Sequence, residues 1–587
     1  MAVYRLYVAP TPYNASELAD LDYSQAFDAI YLAHELYAPG KLARADHADW
    51  SYASVPFGPA IAAPGSVTAT ATIPNTDSAN SGDGYFPQDY SYIVSAIDAN
   101  GQESRGSTAA VANNDTELPR NFTTVSWAAV TGAQFYRIYK AHESGAHGYI
   151  GETAGTSFVD DGFEPNYARA PITGFNPFDG PGNYPARTNF WEQRLWWGRT
   201  INAPNAFWAS RSAEFENLDF ARPQTEADSI AAAISTGETN SIEAIIPLDR
   251  LVIGTSDNIF SLQGPNDDVL VPNPPPAARR QVGRGIGRPK PLPIGEVVFY
   301  HPRVESGVRT LGFSFEIDGY RSTDVTIFAP HLFEGRRIVS WCYQAEPHSI
   351  IWVALDNGAL LSFTWESEQQ VWGWTEIDLG GKVLDLCAVP EGRETRVYMQ
   401  VERVFGETTR RFIERLASWK WTDYRQAVYL DCARRYAFDD PVTAVTGLQH
   451  LEGQTVGVLA DGRASTAVVE DGMVALGRAA TKVVVGLPFE AVVETLRLPE
   501  ETKRKITGEI HVELVDSFEV YGGRRADELQ LFRTRTPGDI AAPAMFTGQP
   551  EPIRPMQVVD RDASILITSP GPYPMTLTAV HYGVEVK

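Results

Sequence analysis

The chain has 587 residues and carries 49 lysines and arginines against 73 aspartates and glutamates, a formal net charge of −24 at pH 7. A single hydrophobic core stops growing at roughly 250–300 residues, so we expect several domains. The negative charge repels phosphates, which excludes general coating of DNA or of an anionic membrane surface.

Cysteine usage and the first residues indicate the compartment. Cys342, Cys387 and Cys432 form no CxxC pair and lie at no zinc-finger spacing from a histidine, so they predict neither a disulfide framework nor a zinc site. The opening residues, MAVYRLYVAPTPYN, lack a basic region followed by an apolar run, and no stretch of about 18 apolar residues occurs in the chain. We expect a soluble, non-secretory protein in a reducing compartment.

Composition favours strands over helices. The chain contains 48 glycines, 40 prolines and 11% aromatic residues, with few long runs at helical period. These features are typical of short strands joined by turns, so we expect a mainly β fold.

Residues 28–50, DAIYLAHELYAPGKLARADHADW, contain the first candidate site. DAIYLAH is predicted as a strand, ELYAPG as a Pro-Gly turn and KLARAD as the returning strand, which together make a β-hairpin. His34 and His47 lie among three carboxylates, but alternation places neighbouring side chains on opposite faces, and a metal needs three or four converging ligands. We therefore predict no metal here: His34 ends a strand, and residues 46–50 form a turn that anchors an aromatic side chain.

An insertion follows, taken as Pro64 to Ala170, which is 107 residues. After the Pro/Gly/Ala-rich VPFGPAIAAPGS, alternating apolar residues mark strands in DYSYIVSAIDANGQES, TTVSWAAV and GAQFYRIYKA. Together with the closing TSFVDDG, these phrases resemble the fibronectin type III sandwich. We predict an inserted domain of that kind, with the carboxylates Asp160 and Asp161 in a solvated turn.

A repeated hairpin runs through the next 250 residues. QRLWWGRT with NAFWAS and DRLVIGTS with NIFSLQG read alike, and three further pairs share their shape: EVVFY with VRTLGFSF, SIIWVAL with GALLSFTW, and RVYMQVE with RRFIERL. The spacings between the first strands are 56, 46, 53 and 47 residues, counted from Leu195, Leu251, Val297, Ile350 and Val397. A four-stranded propeller blade takes roughly 40–50 residues.

The hairpin at 28–50 belongs to the same series. It lies 165 residues before the next one, and removing the insertion leaves 58, which restores the period. We predict a β-propeller core; a large antiparallel sandwich would also give regularly spaced strands and is the alternative.

One segment breaks the charge pattern. Residues 269–295 contain no carboxylate but five positive charges, which are Arg279, Arg280, Arg284, Arg288 and Lys290. This segment is either a solvated loop or a flexible arm that contacts DNA or an adaptor protein, since Arg and Lys neutralise phosphates without reading sequence. The preceding carboxylates Asp267 and Asp268 are predicted to lie in a solvated turn.

No local motif indicates catalysis. The chain has no GxSxG elbow, HExxH pair, Walker loop or Cys/His nucleophile arrangement. We predict no enzyme activity, no catalytic residue, no metal and no cofactor. A propeller glycosidase stays an alternative, because its acids would come from separate blades and leave no local motif.

Beyond about residue 420 the pattern changes. GLQHLEGQTVGVLADGR, VEDGMVALGRAATKVVVGLPFEA and ASILITSPGPYPMTLTAVHYGVE read as strands separated by Asp-Gly and Pro-Gly turns. The predicted organisation is therefore an N-terminal part of the propeller (1–63), the fibronectin type III-like insert (64–170), the propeller core (171–420) and a C-terminal β domain (421–587).

A resemblance to a known family rests on ordered phrases. QRLWWGRTINAPNAFWASRSAEFENLDF, DRLVIGTSDNIFSLQG, DGYRSTDVTIFAPHLFEG, IVSWCYQAEPHSIIWVALDNGALLSFTW and VWGWTEIDLGGKVLD are followed by GLQHLEGQTVGVLADG and VVVGLPFEAVVETL. This order resembles the nozzle or tail-hub proteins (tail tubular protein B-like) of short-tailed bacteriophages. The resemblance covers most of the chain outside the insert and contains no catalytic signature.

The resemblance implies a structural virion protein of the tail. It implies a homo-hexameric ring below the portal and the adaptor (head-to-tail connector) protein. The channel of that ring holds packaged double-stranded DNA until ejection, and its periphery meets tail fibres or spikes. The insert departs from the minimal members of the family, and we expect it to contact a fibre or the host cell surface.

Charge is consistent with such a role. A ring multiplies the charge of −24, and an acidic channel wall would let DNA slide, because phosphate binding needs basic side chains. The basic segment would then be a local gate or an adaptor contact. Two other classes stay open: a carbohydrate-binding or glycan-degrading tail component with an exposed aromatic cleft, and a cellular adhesion protein, against which the missing signal peptide argues.

Overall fold

The structure is a computed structural model that describes residues 7–76, 84–142, 145–235, 240–265, 269–304, 307–497, 504–534, 545–555, 559–560 and 563–586. It divides into two compact units, the first within Arg5–Gly335 and the second from Arg336 onward. Nearly all regular structure in these ranges is β-strand, with four single-turn 3-10 helices at Leu18–Asp20, Pro330–Leu332, Tyr424–Gln426 and Gln449–Leu451. Within the described residues, no helix has the length and apolar character needed to cross a membrane.

The first unit opens with a four-stranded antiparallel meander, sheet I. Its strands are β1 (Asp22–Ala26), β2 (Ala29–His34), β3 (Tyr37–Asp46) and β4 (Asp49–Ser54). The predicted hairpin at 28–50 is the middle pair, β2 with β3, and Leu32 pairs with Gly40.

The predicted insertion is a two-sheet sandwich of seven strands. They are β5 (Thr68–Thr72), β6 (Gln88–Ile97), β7 (Ala110–Asn114), β8 (Phe122–Ser126), β9 (Phe135–His142), β10 (Gly148–Thr153) and β11 (Ser157–Asp160). One sheet has the order β10-β9-β6-β7 and the other β11-β8-β5. Alternate residues of both sheets, among them Tyr92, Val94, Val125 and Ile138, fill the core between them.

The strand neighbours of this sandwich agree with those of immunoglobulin-like domains, but the chain visits them in a shifted order. In those domains, strands G, F, C and C′ are neighbours in one sheet, and A, B and E lie in the other. Here β7-β6-β9-β10 occupies the first arrangement and β5-β8-β11 the second. The F and G equivalents therefore precede B in the chain. The sandwich is present, and its assignment to the fibronectin type III family stays a prediction.

Three more four-stranded antiparallel sheets complete the first unit. Sheet II contains β13 (Arg187–Trp191), β14 (Arg194–Gly198), β15 (Ala206–Ala209) and β17 (Ile230–Ala233). Sheet III contains β18 (Ile242–Pro247), β19 (Leu251–Thr255), β20 (Ile259–Gln263) and β21 (Ala277–Val282). Sheet IV contains β22 (Leu292–Ile294), β23 (Val297–Tyr300), β24 (Arg309–Ser314) and β25 (Gly319–Asp324). A short pair, β12 (Ala170–Thr173) with β16 (Phe220–Arg222), lies beside them in the sequence.

Consecutive sheets of the first unit pack face to face and share cores. Trp196 and Trp197 are adjacent on β14, so their side chains point to opposite faces of sheet II. Trp197 packs with Tyr31 of sheet I, whereas Trp196 packs with Ile253 of sheet III. Residues of sheets III and IV form the next shared core, which includes Val298. Because both faces are covered, β14 and β19 are buried along their whole length.

The second unit begins with two sheets of the same kind. Sheet V contains β26 (Ile338–Gln344), β27 (Ile350–Leu355), β28 (Leu360–Glu366) and β29 (Val371–Ile377), and sheet VI contains β30 (Lys382–Glu391), β31 (Glu394–Phe405) and β32 (Thr408–Arg415). Trp352 of sheet V and Met399 of sheet VI lie in one shared core. All six predicted hairpins are thus the middle or last strand pairs of successive blade-like sheets. This confirms the prediction of a mainly β fold with a propeller-like core.

The remaining strands form the C-terminal part of the second unit. A four-stranded sheet has the order β33-β36-β34-β35, with β33 (Asp431–Thr446), β34 (Thr455–Ala460), β35 (Arg463–Val468) and β36 (Met473–Leu487). The others are β37 (Ala491–Glu494), β38 (Lys505–Ser517), β39 (Tyr521–Gly523), β40 (Gln530–Leu531), β41 (Phe546–Gly548), β42 (Val559–Asp560), β43 (Leu566–Ser569) and β44 (Thr576–Val586). The compact units divide at Gly335, inside the predicted 171–420 core, and the predicted domain limits stay predictions.

Candidate functional site

The five cations of the basic segment do not lie in one loop. Arg279 and Arg280 belong to β21, the fourth strand of sheet III, where they pair with Ser261 and Phe260 of β20. Both side chains are exposed. The prediction of a loop is therefore wrong for these two residues. The segment AARRQV forms the fourth strand of this blade-like sheet. The prolines and glycines on either side of it are typical of loops, so the sequence did not indicate a strand there.

Arg288 and Lys290 are bound to the N-terminal part of the same unit. The Arg288 guanidinium donates to the backbone oxygens of Ala19 and Asp20, and it lies 3.4 Å from the Asp20 carboxylate. Burial lowers the pKa of Arg288 to about 10. The Lys290 Nζ lies 3.0 Å from Asp22 Oδ1. These residues do not form a free arm, which corrects the flexible-arm interpretation for this half of the segment.

Lys290 connects three sheets. Its ammonium donates to the backbone oxygen of Tyr23 in β1 at 2.7 Å and to that of Thr188 in β13 at 3.2 Å, while its own position lies just before β22. The residue therefore holds the approach to sheet IV against the first strands of sheets I and II. Arg284 lies near Tyr300 of sheet IV; burial raises the pKa of that phenol, and the Arg284 charge opposes part of the rise.

Charged residues at the starts of the first strands form a wider network. Asp22 begins β1 and Arg187 begins β13, while Glu243 is the second residue of β18. The Asp22 carboxylate accepts from the Thr188 N–H at 3.0 Å. The Arg187 guanidinium donates to Glu243 Oε2 at 2.7 Å and to the Glu243 backbone oxygen at 2.6 Å. These contacts attach β1 to β13 and β13 to β18.

Glu243 is the centre of this network. It also accepts from Arg199 at 2.8 Å and from the Ser241 hydroxyl at 2.7 Å, and Arg303 lies 4.0 Å away. Burial raises the pKa of Glu243, but the charges of Arg187 and Arg199 together lower it further, so the net shift is downward. The carboxylate is therefore kept ionised.

Sequence reasoning missed Arg187, Arg199 and Glu243. Their positions are separated by up to 56 residues in the sequence. Each lies beside an apolar segment, and only that segment is predicted, as a strand. A charged residue at the start of a first strand is a signal that could have identified Arg187 and Glu243, whereas Arg199 directly follows β14 and has no such signal.

The two histidines of the opening hairpin have structural contacts. His34 is the last residue of β2, as predicted; it is buried, and its Nδ1 accepts from the Leu36 N–H at 3.2 Å. The His47 carbonyl accepts from the Trp50 indole N–H at 3.3 Å in the turn between β3 and β4. Across the described ranges, no group of three or more His, Cys, Asp or Glu side chains could hold a metal ion.

The interpretation of Asp160 as a solvated turn residue is wrong. Its side chain is fully buried and lies 2.8 Å from the Lys140 ammonium. The turn is real, because Asp160 Oδ1 accepts from the N–H groups of Gly162 and Phe163, but a cation from the opposite sheet covers it. Asp267 and Asp268 lie outside the described residues.

Comparisons with known proteins identify no family. No protein-family model matches the chain, and no curated protein matches it. A Lactobacillus plantarum protein of solved structure is 11% identical, covering 56% of this chain and 96% of its own, with a TM-score of 0.26. A candidate 6-phosphogluconolactonase from Bacteroides uniformis is 12% identical, covering 56% of this chain and 95% of its own, with a TM-score of 0.24. Both TM-scores are far below 0.5, so neither likeness supports an argument about activity.

The two halves of the basic segment should differ in their effect on stability. Replacing Arg288 and Lys290 together by glutamine removes the ion-pair partner of the buried Asp22 carboxylate and a donor to the backbone oxygen of the buried Thr188. This should lower the free energy of unfolding by about 1–3 kcal/mol. Replacing Arg279 and Arg280 by glutamine should change it by no more than about 0.5 kcal/mol, because both are exposed. Urea denaturation followed by tryptophan fluorescence measures both, and equal effects would contradict the assignment of Arg288 and Lys290 as attachment residues.

Proposed function

We propose that this chain is a tail nozzle (tail-hub) protein of a short-tailed bacteriophage. In this proposal, copies of the chain form a hexameric ring below the portal and the adaptor, close the DNA channel until ejection, and support fibres or spikes. The protein acts as a structural component of the virion tail and not as an enzyme.

One observation carries the proposal. The phrases that resemble the nozzle family fall, in order, on successive blade-like sheets and then on the C-terminal sheet. QRLWWGRT with NAFWAS corresponds to β14 and β15, and DRLVIGTS with NIFSLQG to β19 and β20. SIIWVAL with GALLSFTW corresponds to β27 and β28, and GQTVGVLADG to β34. The resembling phrases therefore extend over several sheets of the chain, and this extent supports the proposal more than one short motif would.

The contacts of the basic segment refine how such a ring would hold DNA. Arg288 and Lys290 are paired with Asp20 and Asp22, so their charges are compensated within the chain. The exposed pair Arg279 and Arg280 can supply local positive charge on a chain whose net charge is −24. We infer that DNA is retained mainly by closure of the channel, with Arg279 and Arg280 of β21 as the phosphate contacts that the basic segment offers.

Electron microscopy of the purified protein tests the proposal. The protein should be imaged alone and after mixing with DNA-filled particles that lack it, and the averages classified by rotational symmetry. A sixfold ring that caps the portal vertex and retains DNA is expected. Monomers that ignore the particles, and that release or bind glycans of the host envelope, would replace the nozzle with a carbohydrate-active tail component.

A matched pair of variants separates charge from closure in the same assay. The R279Q/R280Q protein should assemble and cap particles, and any loss of adaptor or phosphate contact should appear as faster DNA leakage at moderate salt. Full DNA retention by this variant at every salt concentration would exclude β21 as a phosphate contact. It would leave the ring itself unaffected.

A further inference from the structure

The sandwich insert contains a buried amine and a buried carboxyl group in direct contact. Lys140 lies on β9 of one sheet, and Asp160 ends β11 of the other. The Lys140 Nζ lies 2.8 Å from Asp160 Oδ2, and the side chains are 2% and 0% exposed. Contact of this kind across the core links the two sheets.

Other groups fix the orientation of both side chains. The Tyr92 hydroxyl donates to Asp160 Oδ2 at 2.7 Å, and the N–H groups of Phe163 and Gly162 donate to Oδ1 at 2.9 and 3.2 Å. The Lys140 Nζ also donates to the Phe163 backbone oxygen at 3.2 Å and lies 4.3 Å from the centre of the Tyr90 ring. The reactive atoms are thus held in place and screened from water.

An ion pair buried this deeply has little value for stability. The loss of hydration on burial offsets most of the attraction between the charges, and apolar replacements of such pairs are often neutral or stabilising. An amine held against a carboxyl group in a dry site is instead positioned to react with it. Holding two reacting groups in the correct orientation accelerates their reaction as a very high local concentration would.

We propose that Lys140 and Asp160 form an intramolecular amide bond that cross-links the two sheets of the insert. A proton first passes from the ammonium to Asp160 Oδ2, which gives an amine and a carboxylic acid. The nitrogen lone pair then forms a bond to Asp160 Cγ, and the electrons of the carbonyl double bond move to Oδ1. One further proton passes from nitrogen to Oδ2, the Cγ–Oδ2 bond breaks, and the carbonyl re-forms. Ammonium and carboxylate become amide and one water molecule, without an oxidant or co-reactant.

The surrounding groups fit the parts of this reaction. The Phe163 and Gly162 N–H groups donate to Oδ1, where negative charge develops in the tetrahedral intermediate, as in an oxyanion hole. The Tyr92 hydroxyl contacts the oxygen that leaves and can relay its proton. Burial raises the pKa of Tyr92 well above its ordinary value, so the hydroxyl stays protonated as a donor.

The cross-link would change how the insert resists unfolding. It would join β9 to β11 covalently and close the chain between positions 140 and 160, so neither strand could leave the sandwich alone. The inference depends on the insert alone and holds whether or not the chain is a tail nozzle.

Intact-mass spectrometry of the full-length protein in denaturant tests the proposal. The expected mass is that of the sequence minus one water molecule. A tryptic digest should show no cleavage after Lys140 and should contain a branched peptide that joins Lys140 to Asp160. Protein isolated in urea from inclusion bodies, which has not yet folded, should gain the cross-link after refolding and should not gain it while it is kept in urea.

Two variants and one internal control complete the design. Lys140→Arg keeps an ion pair but has no primary amine, and Asp160→Ala removes the acceptor, so both should have the full sequence mass. Lys41 and Glu216, which lie 2.5 Å apart but are 32% and 27% exposed, should stay unlinked. A wild-type protein with the full sequence mass and normal cleavage after Lys140 would overturn the proposal, as would a water loss that persists in both variants.

Discussion

Replacing Glu243 by alanine is expected to lower the free energy of unfolding of the first unit by about 3–5 kcal/mol. The carboxylate compensates Arg187, whose side chain is only 4% exposed, and Arg199. Without it, a guanidinium stays buried with no opposite charge, and this loss costs more than the packing of the missing methylene groups. Urea denaturation followed by tryptophan fluorescence measures the change.

The same variant should reveal a dependence on pH. The folded pKa of Glu243 is lowered, so its stabilising contribution is present above the unfolded pKa of about 4.3 and is lost as pH falls through the lower folded value. The difference between wild type and Glu243→Ala should therefore be constant near neutrality and shrink in acid. Glu35→Ala is the matched control, since Glu35 pairs with Arg199 at 2.9 Å but is 35% exposed. The Glu35→Ala substitution should lower the free energy of unfolding by no more than about 1 kcal/mol. Equal losses for the two variants would show that burial does not decide the effect.

The hairpins could be predicted because burial on both faces makes their strands apolar, and this is visible in the local sequence. In β14, β19 and β27 both faces are covered by neighbouring sheets, so the strands are apolar along their whole length and stand out in the sequence. The fourth strands lack this signal. β21 has the sequence AARRQV and β29 has VWGWTEI, with most residues exposed or half-buried. Such strands depend on pairing with a third strand, which local composition does not report.

The charged contacts could not be predicted for a different reason. Lys290 bonds to Tyr23, 267 positions earlier in the chain, and Asp160 pairs with Lys140 from the other sheet of the sandwich. A carboxylate in a sequence typical of a turn is usually exposed to solvent. It becomes buried only when a second strand or loop packs against it. The sequence contained the residue types of these sites, whereas their partners depend on the tertiary fold.

Asp431 is expected to make the second unit less stable as pH rises from 5 to 8. It begins β33, and burial raises the pKa of its carboxyl group from an ordinary value of 3.8 to about 7. Arg403 opposes this rise, but its guanidinium already binds Glu414 at 2.8 and 2.9 Å; Glu414 and Asp378 add to the rise. Burial therefore outweighs the one nearby cation.

The sign of the effect follows from which state binds the proton. A raised folded pKa means that the folded protein holds a proton that the unfolded chain releases near pH 4, so this contribution is complete below about pH 4 and is lost as pH rises through about 7. The full loss corresponds to at most roughly 4 kcal/mol. Asp431→Asn keeps the shape of the neutral acid without ionising, so its advantage in stability over wild type should be smaller at pH 5 than at pH 8.

Asp440→Asn separates burial from a general effect of charge. Asp440 lies on the same strand, β33, but is exposed, so its replacement should leave the pH dependence of wild type unchanged. Denaturation curves measured at intervals between pH 5 and 8 for the three proteins decide the matter. Parallel curves for wild type and Asp431→Asn would mean that Asp431 ionises freely in the folded protein, through water or through a shift of Arg403 away from Glu414. Curves whose separation grows from pH 5 to pH 8 would identify this half-buried carboxyl group as a source of pH sensitivity at the start of β33.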